Sequence, residues 1–105
     1  MPDYSCEWAL DRFSADAAYT GENRMVRVRG EGDCPRAGYS VELVADNPGI
    51  APPPQRLAVR IVESPAAAGA DVMSPVVIDQ LLDVSPAVTE IAIRGLGVIE
   101  VQEPA

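Results

Sequence analysis

The sequence predicts an all-β domain in which seven strands form a two-sheet sandwich. Three observations carry that expectation. Seven stretches alternate apolar and polar residues at period two, the spacing of a strand with one buried face. Gly or Pro separates nearly all of them, and ten prolines and eight glycines in 105 residues suit a fold with many turns. The apolar fraction of 48% is that of a globular chain, and the length fits one domain over residues 1–105.

The elements follow in order. Tyr4, Cys6, Trp8 and Leu10 share one parity, which makes a first strand with Trp8 facing the core. Residues 14–23 are small and polar and read as a loop. In a second strand, 24–30, Val26 and Val28 point inward and Arg27 and Arg29 outward; Gly30-Glu31-Gly32 then loosens or bulges it. The third strand, 39–46, sets Tyr39, Val41 and Leu43 against Ser40, Glu42 and Asp46. The short Pro/Gly segment 34–38 predicts that strands two and three form a hairpin, with arginines facing carboxylates across it.

A stiff loop follows at 47–55, with Asn47-Pro48-Gly49 as a turn and Pro52-Pro53-Pro54 unable to join a ladder. The fourth strand, 56–63, turns Leu57, Val59 and Ile61 inward. Residues 74–84 read two ways. As a strand they align Val76, Ile78, Leu82 and Val84, with Gln80 as an intruder. As a helix, Ser74 caps, Pro75 takes the first position, and Val77, Ile78, Leu81 and Leu82 form a stripe. Strand is the favoured reading because both neighbours are β. Thr89, Ile91 and Ile93 make the sixth strand; Gly95-Leu96-Gly97 turns the chain into the seventh, with Ile99 and Val101 inward.

Seven strands at this spacing suggest an immunoglobulin-like or fibronectin-like sandwich, with a small β-barrel, or a sandwich carrying a short helix at 74–84, as alternatives. The Cys–Trp–Cys spacing of true immunoglobulin domains is missing. Gly38-Tyr39-Ser40-Val41-Glu42-Leu43 resembles the Gly-Tyr-x-Val-x-Leu strand of small, uncharacterised bacterial all-β proteins, and the Pro-rich loop and strand after it, Asn47 to Ile61, fit the same pattern. That resemblance implies a fold and lends no chemistry.

Chemistry is narrowed by what the chain lacks. It has no histidine and no lysine, hence neither the commonest general base, the imidazole, nor the commonest amine nucleophile, and an enzyme is not expected. The net charge of −8 disfavours nucleic acid and anionic membranes as partners. No basic, apolar leader and no membrane-length apolar run occurs, which suggests a cytoplasmic protein. In that setting Cys6 and Cys34 are expected as buried free thiols, with a Cys6–Cys34 disulfide as the alternative. Glu31, Asp33 and Asp46 are weak calcium candidates in a rim that reads as solvated, and no cofactor is expected.

Interaction is the remaining class. Val44, Ala58, Val62, Val77, Leu81, Ala92 and Val98 fall on outward parity. A patch of Val62, Val77 and Leu81 is the expected contact of a two-fold dimer or of a protein partner. The alternative is a small enzyme inhibitor that inserts the loop Asn47, Pro48, Gly49, Pro52, Pro53 and Pro54 into a cleft.

Overall fold

A computed structural model describes residues 4–46 and 53–103. The strands are β1 (Glu7–Thr20), β2 (Asn23–Cys34), β3 (Ser40–Ala45), β4 (Arg56–Ser64), β5 (Ser74–Asp83), β6 (Glu90–Ile93) and β7 (Gly97–Gln102). No helix occurs among the described residues. The 74–84 segment is therefore a strand. Its Pro75 is accommodated because β5 ends the sheet, and an edge strand can spare an N–H.

The strands join in one sheet of order β3-β4-β6-β7-β1-β2-β5 rather than in two separate sheets. Pairs β1–β7 and β4–β6 are parallel; the others are antiparallel. The sheet curls until its two ends meet, and the result is nearly closed and barrel-like, which fits the barrel alternative. Given these pair senses, β3 and β5 run in the same direction at the seam. Gln80 closes it: its Nε2 donates to the Leu43 carbonyl at 2.8 Å, and its Oε1 accepts the Leu43 N–H at 2.9 Å. One carboxamide thus does for Leu43 what a peptide group of a neighbouring strand would do. The intruder on the inner face of β5 is the residue that joins the barrel's ends.

Two expectations about the first third of the chain are corrected. Residues 14–23 are mostly strand: β1 continues to Thr20 and turns through Gly21 into β2. Gly21 has φ 64°, a conformation glycine adopts without strain. The alternation was present, but its inward members, Ala15 and Ala17, are small. They are buried beside Phe13. Strands β2 and β3 do not form a hairpin. β2 lies between β1 and β5, and β3 pairs with β4. Consequently the β2 arginines meet Asp79 of β5 instead of β3 carboxylates.

The irregularity expected at Gly30-Glu31-Gly32 belongs to β1. β2 keeps register with β5 from Met25↔Asp83 to Cys34↔Ser74. On β1, Trp8 pairs with Gly32 and Phe13 with Gly30, so residues 9–12 oppose Glu31 alone. The odd number of extra residues switches the inward parity from Trp8 to Phe13. Both rings lie over the glycines, where a Cβ would stand 2.2 Å from Phe13 Cε1 or 2.4 Å from Trp8 Cε3. Trp8 is half-buried at the edge of the core rather than within it. The centre is aliphatic, built on Val26, Val28, Ile78, Ile91 and Ile93.

Candidate functional site

Leu81 and Val77 stand two residues either side of Asp79 on the outer face of β5. They are 49% and 57% exposed, and the lead-in residues Val72 and Met73 are exposed as well. Period-two geometry turned these side chains outward, as the sequence predicted. Val62 does not join them. It sits half-buried on β4 opposite Glu42, and β3 lies between it and β5. It floors a separate shallow hollow with Ser40, Val41, Glu42 and Ser64. Of the other outward positions, Val98 is exposed, while Val44, Ala58 and Ala92 are half-buried.

Charged rows flank the β5 stripe. Arg27 binds Asp79 through Nε at 2.7 Å and Nη2 at 2.6 Å, and Arg29 lies 3.6 Å from the same carboxylate. The Arg27 guanidinium holds the Asp79 carboxyl below its usual range, chiefly by that hydrogen bond. Arg12 reaches both Glu31 and Asp33, at 3.2 and 3.3 Å. Arg12, Ser14, Arg29, Gly30, Glu31 and Val77 border an open hollow of about 260 Å³ on the outside of β1, β2 and β5. Asp46 pairs with Arg94 at 3.4 Å. The three calcium candidates are thus divided between two arginines on different parts of the sheet and share no cluster.

Of the loop positions, Asn47, Pro48, Gly49 and Pro52 lie outside the described residues. Pro53 and Pro54 are exposed. The chain beyond them is anchored: the Pro53 carbonyl accepts the Arg56 N–H, and the Gln55 carbonyl accepts those of Thr89 and Glu90.

The cysteines overturn the free-thiol expectation. Cys6 and Cys34 are buried and form a disulfide with Cα atoms 4.1 Å apart. The next residues, Glu7 and Asp33, are ladder partners, so the hairpin itself brings the two sulfurs face to face across its open end. Disulfides persist in oxidising compartments and are rare in the cytosol, so the bond lends no support to a cytoplasmic setting. No helix is long and apolar enough to cross a membrane among the described residues.

Glu63 of β4 lies against this bond. Its Oε1 accepts the Ser5 N–H at 2.7 Å; its Oε2 accepts the Cys6 N–H at 2.8 Å and the Trp8 indole N–H at 3.0 Å. Ser5, Cys6 and Trp8 are therefore clamped across the barrel, and Tyr4 extends the clamp by donating to the Arg94 carbonyl and accepting the Ile61 N–H. Sequence reasoning missed Glu63, although a signal existed: it continues the inward parity of Leu57, Val59 and Ile61. Arg24 carries the same signal. It continues the parity of Val26 and Val28, is buried, and donates to the Val88 carbonyl and to Glu103. Comparison with protein-family models, with curated proteins and with solved structures finds no match for this chain.

Proposed function

We propose that the protein is a non-catalytic interaction module that meets a second copy of itself, or another protein, through the outer face of β5. One observation carries this reading: Val77 and Leu81 expose apolar surface on the outer face of β5, one on each side of Asp79, and Val72 and Met73 ahead of the strand are exposed as well. A face of this kind gains by being covered, and a two-fold dimer needs only one self-complementary patch. The mixed signs beside it suit that symmetry, since Arg27 and Arg29 on β2 flank Asp79 and Asp83 on β5. The acidic surface makes nucleic acid and anionic membranes poor partners.

The net charge of −8 opposes association at low salt. Self-association by an apolar face therefore strengthens as salt screens the repulsion. Light scattering across a salt series is expected to show a dimer that tightens with salt in the wild type and a monomer in Leu81→Glu. A wild type that stays monomeric at every salt and at high concentration ends the self-association reading.

A second reading, an inhibitor that inserts the 47–55 loop, draws on the exposed Pro53 and Pro54 ahead of the fixed Gln55 carbonyl. Replacing Pro52, Pro53 and Pro54 by Ala, Gly and Ala separates the two. The inhibitor reading requires a large loss of partner binding, and the β5 reading almost none.

A further inference from the structure

We propose that Cys6, Cys34 and Glu63 form a redox-gated site for a thiophilic divalent cation: a disulfide in oxidising surroundings, and a ligand set of two thiolates and one carboxylate after reduction. Among the described residues this is the one group of three or more cysteine, aspartate or glutamate side chains whose ligand atoms all lie within 4.8 Å of one another. Tetrahedral zinc, with metal–sulfur bonds of about 2.3 Å and metal–oxygen bonds of about 2.1 Å, spaces its ligand atoms roughly 3.5–3.8 Å apart. Bonded to each other, the two sulfurs are closer than that, so they have to part on reduction to reach it, and the Glu63 carboxylate lies within 4.8 Å of both.

The surroundings suit a ligating carboxylate. Glu63 is oriented by N–H groups of Ser5, Cys6 and Trp8, the kind of outer contact that fixes a metal-binding carboxylate. Its Oε1 accepts one of those N–H groups and keeps a lone pair for a cation. Two thiolates select a soft or borderline metal over calcium or magnesium. Three protein ligands leave a fourth position for water on the half-buried side of Glu63.

The chemistry balances with a dithiol as reductant. Its two thiols become a disulfide, the Cys6–Cys34 bond breaks, and each sulfur takes one proton. The cation then displaces both protons to solvent and binds the two sulfurs and a Glu63 oxygen.

The test uses Cd2+ and the full chain, reduced with a dithiol and freed of it under inert gas. The reduced protein is expected to develop an ultraviolet thiolate-to-cadmium band that saturates at one equivalent per chain. Its thermal midpoint should rise, because the cation binds the folded state. Oxidised protein and the Cys6→Ser/Cys34→Ser variant should show neither effect. Glu63→Gln should weaken the affinity by roughly 10-fold or more. The proposal is overturned if the band is absent, or if it appears without a rise in midpoint, since unfolded thiols are then the ligands. Equal affinity in Glu63→Gln also overturns it. Should that variant not fold, the single tryptophan decides: Trp8 donates to Glu63, so an unchanged Trp8 emission on Cd2+ binding removes Glu63 from the site.

Discussion

Arg24, Glu63 and Gln80 occupy positions that alternation assigns to the inner face of their strands, and each is polar. Burying such a group without partners costs about 1–3 kcal/mol or more, so each is matched by donors or acceptors. At Arg24 the match brings pH dependence. Arg24 holds the Glu103 carboxyl below its ordinary value, chiefly by their hydrogen bond, and the Tyr19 hydroxyl adds to it. A carboxyl depressed in the folded state contributes stability above its unfolded value, about 4.3, and loses it as pH falls through the folded value. Urea unfolding should therefore find wild type more stable than Glu103→Gln at neutral pH, with the gap closing below about pH 4. A gap that does not change with pH would detach Glu103 from Arg24.

The β1–β2 hairpin shows why a strand can look like a loop. Beside Phe13, Val26 and Val28, its inner face carries Ala15, Ala17, Gly30 and Gly32, residues with little hydrophobic signal. Space that side chains on β2 would fill is taken by Phe13 and Trp8 reaching across from β1, their rings 5.8 Å apart. Gly30→Ala should cost about 1–3 kcal/mol in urea unfolding, because the new methyl overlaps the Phe13 ring. In a Phe13→Ala background the same change should cost clearly less, since the obstructing ring is gone. Equal costs in both backgrounds would refute the ring-over-glycine account. Strand β5 teaches the complementary lesson: its pattern was ambiguous between periods, and its place beside β2 settled it as a strand.

The described residues form a sheet whose first and last strands in space meet at a seam, with residues 4–8 fastened across one end. The disulfide closes a loop of 28 residues, and removing it should cost about 3–4 kcal/mol through the entropy of the unfolded chain. Metal-free urea unfolding with and without a dithiol measures this. A loss under about 1 kcal/mol would mean that the Glu63 clamp holds the N-terminal segment unaided. The all-β character, most of the strands and the inward sets of β4, β6 and β7 were determined by the sequence alone, because period-two alternation is local and each strand must bury one face. Which strands are neighbours, that the cysteines bond, and that Glu63 and Gln80 tie distant strands were decided only by the tertiary structure. Those partners lie 28 to 58 residues apart along the chain, and no local pattern specifies contacts between such separated residues.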